Sequence, residues 1–257
     1  MKKFINYSSP WASLLSFTLM SAMMSLVMSL KQFESTGKMF LWGVNISIIM
    51  VFILMYMWVR DSSRESLMGF NNNDISSNIK LAVVLFLISE AFFFISFFWM
   101  FFYSAMAPEM GYWPPVSLWS PSFIGAPSLN TILLVSSSAT VTMCHYDCHS
   151  KTSYSLAWLK LTLILSFMFI TVQWLEYESL PFSFTSSVGG AVFFISTGFH
   201  GMHVIIGTLA LGVSLLLMMK NYFTVSSMLG FELAVWYWHF VDAIWLMLYI
   251  VFYCWGH

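Results

Sequence analysis

Long apolar stretches recur along nearly the whole chain and leave it few ways to fold. A bilayer core of about 30 Å needs about 20 apolar residues per helix. Seven stretches reach that scale, at roughly 11–30, 38–59, 79–106, 128–148, 154–177, 190–219 and 232–254. The expectation is an all-α membrane protein with seven transmembrane helices, forming a single transmembrane domain over residues 1–257. The fourth stretch stands apart, because LLVSSSATVTM is rich in Ser and Thr. Small hydroxyl residues let helices approach closely and hydrogen-bond one another, so this stretch reads as an interior helix. Composition agrees with a membrane protein: 8% of residues are charged, against about 25% in ordinary soluble domains.

Seven spans place the two termini on opposite sides, and the short loops set the direction. The side of the N-terminus holds Lys2, Lys3, Arg60, Arg64, Lys80, Lys151 and Lys220, whereas the other side holds Lys31 and Lys38. Lys160, early in the fifth span, snorkels to the first side. Excess Lys and Arg mark the negative face of a membrane, so the N-terminus belongs there. The opening MKKFINYSSPWASLL has a basic start but no small-x-small cleavage site, and reads as a retained helix. It is no Arg-rich amphipathic presequence, so an organellar location implies synthesis inside the organelle. Residues 60–78 read as a polar loop that lets the first two helices splay from the other five. Residues 107–127, with five Pro, read as a non-helical segment along the opposite interface.

Several constellations carry possible chemistry. Glu90 is the only charged residue in LAVVLFLISEAFFFISFFWMFFYSAMA and has no basic neighbour in sequence. An intramembrane carboxylate costs roughly 2.5–3.5 kcal/mol on insertion scales, and burial favours its protonated form. Glu90 therefore reads either as a proton-handling acid or as a neutral carboxyl bonded to a neighbouring helix. His200 and His203, spaced i, i+3 in GFHGMHVIIG, share a helical face. Two imidazoles do not complete a metal site, so buried packing histidines are the leading reading, with Gly198, Gly201 and Gly207 favouring close helix contact. His239 and Asp242 repeat that spacing, as an interhelical polar cluster or a relay. The run from Cys144 to His149 resembles a haem or zinc motif only superficially: three residues separate its cysteines, and no clear ligand set follows. Trp58, Arg60, Arg64 and Glu65 meet the membrane surface together, as lipid-headgroup candidates or as a plain anchor. The three Cys imply no disulfide framework, no internal repeat suggests duplicated transporter halves, and a net charge of −1 gives no reason to expect nucleic acid.

The stretches WVRDSSRES, LFLISEAFFFISFFWMFFYSAMAPE, GYWPP, LNTILL, FISTGFHGMHVIIGT and GFELAVWYWHFVDAIWLMLYIVFYCWG resemble the mitochondrial form of cytochrome c oxidase subunit 3, within the haem–copper oxidase subunit III family. They occur in family order and cover the chain from Ser9 onward. The resemblance implies that helices one and two stand apart from three to seven across a V-shaped, lipid-filled cleft. It implies a non-redox core subunit with no catalytic residue and no metal or cofactor of its own, haem and copper residing in partner subunits. Those partners are subunits 1 and 2 and accessory subunits, which transfer electrons from cytochrome c to dioxygen and pump protons. The chain would stabilise subunit 1, bind phospholipid and assist proton uptake and oxygen access. It would lie in the mitochondrial inner membrane with its N-terminus on the matrix side and its C-terminus in the intermembrane space. The family's carbodiimide-reactive carboxyl falls on Glu90, and its lipid contacts on Trp58 and Glu65, with Arg60 and Arg64 beside them. One departure stands out: no histidine precedes His145, so an N-terminal histidine antenna for protons finds no residues here. The rival reading is a proton-coupled channel or transporter using Glu90 and the His/Asp pairs. A further rival is a metalloenzyme using His200 and His203.

Overall fold

A computed structural model describes residues 9–38, 41–68, 73–106, 122–150, 154–220 and 228–255. They form seven α-helices and, among the described residues, no strand: α1 Trp11–Thr36, α2 Trp42–Leu67, α3 Asn73–Met106, α4 Ala126–Ser150, α5 Ser155–Ser179, α6 Val188–Met219 and α7 Leu229–Leu248. The last continues into a π-helical turn, Tyr249–Cys254. Six of the seven are long and apolar enough to cross a membrane. The exception is α4, whose Ser and Thr residues dilute its apolar character.

All seven helices fall where apolar stretches predict them, but three run further, α1 to Thr36 and two others into residues 60–78. The segment 60–78 is mostly helical rather than a polar loop, because α2 continues to Leu67 and α3 begins at Asn73. Hydrocarbon thickness limits the apolar run, not the helix: Arg64 in the last turn of α2 and Asp74 in the first turn of α3 suit their helix ends electrostatically. Of the Pro-rich segment 107–127, residues 107–121 lie outside the described residues, as do Lys2, Lys3 and Lys151 of the charge count.

The chain divides into two compact units, residues 1–71 and 72–257. In the first, α1 and α2 form an antiparallel pair. Gly37 ends α1 in the left-handed conformation (φ 70°) and its N–H bonds Phe33 O, turning the chain back. Ser21 Oγ lies 3.3 Å from Ser47 Oγ. One turn away, a Cβ on Gly43 would come within 2.9 Å of Ser25 Cβ, so glycine permits the close approach.

In the second unit, α7 is the best buried helix. It packs on α6, α4 and α3, while α5 lies against α4 and α6. Trp238 and Trp245 from α7 and Tyr253 from the π-turn are each fully buried. Around them lie Phe94 and Phe101 of α3, Leu134 and Val141 of α4, Phe169 of α5, and Val204 and Leu211 of α6. The tightest approach is at Gly207, where an added Cβ would meet Trp238 Cε3 at 2.9 Å. Gly198 and Gly201 do not share that role, since a Cβ on either meets nothing within 4 Å. In place of charge, the outward helix faces carry exposed Phe, Leu, Ile and Met, the surface that lipid or partner helices cover.

Candidate functional site

Several polar side chains of the second unit are paired across helices. Glu90, in the middle of α3, reaches α6, where its Oε2 lies 3.1 Å from His203 Nε2. The other imidazole nitrogen, Nδ1, lies 2.7 Å from Phe199 O. That carbonyl only accepts, so Nδ1 carries the hydrogen. A neutral imidazole then presents a lone pair at Nε2, and Glu90 meets it as a carboxylic acid donating its proton. The alternative distribution of the same proton is an imidazolium–carboxylate pair. Either way the pair is neutral as a whole, which is how two ionisable groups tolerate an apolar setting. His203 is nearly buried and Glu90 keeps about a quarter of its side-chain surface (10% and 24% accessible). Phe94 lies edge-on to the imidazole and Tyr237 stacks on it, shielding the His203 side of the bond.

His200 and His203 share a helical face by spacing but not a site. His200 is buried between Phe169, edge-on at 5.8 Å, and the indole of Trp245 at 5.2 Å. Neither of its ring nitrogens has a hydrogen-bond partner among the described residues, so it is buried without the bonds expected of a packing histidine. Asp242 takes Ser138 rather than His239: Ser138 Oγ donates to Asp242 Oδ2 at 2.8 Å, tying α4 to α7. Helical spacing offered His239 as the partner, and the close seam between α4 and α7 supplied a hydroxyl instead.

Lipid-headgroup candidates sit on the last turns of α2. At 100° per residue, Trp58 and Glu65 fall on one face, while Arg60 and Arg64 fall together on nearly the opposite one. All four lie in the last three turns of α2 but not on one face. Arg60 Nε donates to Asp61 Oδ1 at 2.8 Å, which occupies part of its fork, whereas Arg64, Glu65 and Trp58 are exposed.

Sequence reasoning missed a second buried polar group. Glu176 of α5 is 5% exposed, more deeply placed than Glu90, and accepts from Tyr253 Oη at 2.8 Å. One turn earlier, Gln173 accepts from Asn130 Nδ2 at 3.0 Å. Trp238 Nε1 donates to Ser137 Oγ and Trp245 Nε1 to Thr131 Oγ1, while the hydroxyls of Thr140 and Thr162 meet at 2.8 Å. The hydroxyl-rich fourth stretch is thus the polar seam of the unit, as its composition suggested. At the Lys80 end, Lys80 Nζ pairs with Glu232 Oε2 at 2.8 Å, joining α3 to α7. A Glu at a span entrance and a Lys at another were visible separately, and only folding pairs them.

A polytopic, all-helical membrane protein with neutral polar pairs between its helices is the class this structure defines. The family model of cytochrome c oxidase subunit III matches residues 3–257. A cytochrome c oxidase subunit 3 from Yarrowia lipolytica is 40% identical over 253 residues, covering 96% of this chain and 93% of its own length. One from Aedes aegypti is 40% identical over 257 residues, covering 97% and 95%, and one from Struthio camelus is 42% identical over 221 residues, covering 84% and 85%. The chain belongs to the cytochrome c oxidase subunit III family and is a subunit of that oxidase. It accordingly assembles with other oxidase subunits.

Proposed function

We propose that this subunit is a non-redox brace of the oxidase in the mitochondrial inner membrane, packed against subunit 1, with subunit 2 and accessory subunits completing the complex. Haem and copper belong to those partners. The chain binds phospholipid, including in a cleft between helices one and two and helices three to seven, and assists proton uptake and oxygen access at the catalytic subunit. All seven helices cross the membrane, α4 as an interior span, with the N-terminus on the matrix side and the C-terminus in the intermembrane space. Arg64, Trp58 and Glu65 are the headgroup contacts, Arg60 contributing with the part of its fork that Asp61 leaves open.

The observation that carries this reading is the Glu90–His203 bond. It spends the chain's central intramembrane acid on tying α3 to α6, a structural use. Replacing Glu90 with Gln keeps a donor for His203 Nε2, because the amide N–H₂ takes the place of the acid proton. Glu90→Gln is therefore expected to assemble into the oxidase at the parent level. Glu90→Leu removes the bond and weakens helix association by on the order of 1 kcal/mol or less. The yield of intact complex on native gels, followed through sustained turnover, reads the difference. A Gln variant that fails to assemble beside a Leu variant that succeeds would sink the proposal.

A further inference from the structure

Three ligand-type side chains converge where α4 ends and α7 begins, and of these only Glu232 has an interhelical partner in the contacts described above. His145 and His149 are spaced i, i+4 on α4, and Glu232 lies in the first turn of α7. One donor atom from each lies within 4.8 Å of the other two. The two imidazole rings sit 4.8 Å apart at 86°. Nε2 of His145 is buried without a hydrogen-bond partner among the described residues, an unusual and costly state for a polar atom. Lys80 holds Glu232 through Oε2 and leaves Oε1 as the available ligand atom. It also orients the carboxylate, as outer partners of metal ligands do.

We propose that His145, His149 and Glu232 form a binding site for a divalent transition metal of the Zn²⁺ class, clamping the end of α4 to the start of α7. Two imidazoles and a carboxylate are a ligand set that zinc accepts, with water in the fourth position. Two histidines one turn apart on a helix present both rings to one ion. Around a tetrahedral ion with ligand bonds of about 2.0–2.2 Å, donor atoms lie roughly 3.3 Å apart. The present spread exceeds that modestly. His149 is exposed and closes the gap by changing rotamer, while His145 and Glu232 are half-buried. The end of α4 also carries the negative pole of its helix dipole, which favours a cation. This site departs from the sequence-based expectation of no metal: the histidines stood in a segment without a ligand set, and the third ligand arrives from α7.

The test uses the purified oxidase, washed with chelator and dialysed against ⁶⁵Zn²⁺. The parent complex is expected to hold one equivalent more than the His149→Ala complex, whose altered side chain is exposed at the end of α4. Glu232→Gln is expected to weaken that equivalent by at least about tenfold, the scale that even outer-sphere changes reach. A second measurement needs no variant: the oxidase loaded with Co²⁺ at this site, read at the cobalt edge by X-ray absorption, is expected to show two imidazole ligands. Equal zinc stoichiometry and affinity in parent and His149→Ala complexes, or cobalt without imidazole scattering, overturns the proposal.

Discussion

Glu90 and Glu176 are both carboxyls inside apolar helices, and their surroundings assign them different work. Glu90 shares a proton with His203 across α3 and α6. Glu176 accepts from Tyr253, a fully buried phenol. Removing that acceptor leaves a buried O–H with no partner, which costs about 1–3 kcal/mol. Glu176→Leu is expected to lower the thermal midpoint at which the oxidase loses this subunit, while Glu176→Gln, whose amide oxygen still accepts, shifts it much less. Equal losses in both would show that the Tyr253 bond is not what Glu176 contributes. Glu90 was conspicuous in the sequence because no other charged residue lies in its apolar run. Glu176 was not, because Gln173, Glu178 and Ser179 flank it and give that end of α5 an interfacial look.

At the scale of elements, α7 is the strut on which α3, α4 and α6 lean. Its contact with α6 depends on Gly207 lying under the Trp238 indole. A methyl there must push a fully buried Trp, and overpacking of this kind costs about 1–3 kcal/mol. Gly207→Ala is expected to reduce recovery of assembled oxidase, whereas Gly201→Ala meets open space within the chain and gains up to about 1 kcal/mol of helix propensity. Comparing yields of complex from the two variants checks this, and a larger loss at Gly201 would contradict the packing argument. Helix positions were legible from apolar length alone. Helix ends in 60–78 were not, because hydrocarbon thickness limits the apolar run and not the length of the helix that carries it. The faces of Arg60, Arg64, Trp58 and Glu65 followed only once that segment proved helical.

For the whole molecule, the arrangement of the polar groups weighs against a proton path through this chain. Glu90 bonds His203, Asp242 bonds Ser138, and His200 is enclosed by Phe169 and Trp245. Among the described residues, the first two are separate interhelical ties and His200 joins neither by a hydrogen bond. Reconstituted alone in liposomes, the subunit is expected to conduct no protons above the protein-free leak, measured with an entrapped pH dye. Conductance abolished by Glu90→Gln would restore the channel reading. Membrane character, helix number and family were already written in the order of apolar stretches and motifs, because the bilayer imposes span length and local spacing sets helical faces. Which polar residue meets which was decided only by tertiary structure. Glu90 finds His203, Asp242 finds Ser138 and Glu232 finds Lys80 across large sequence separations, and the partner depends on which helices become neighbours. Helical periodicity pairs residues three or four apart along one helix; it carries no information about the side chain that the next helix brings.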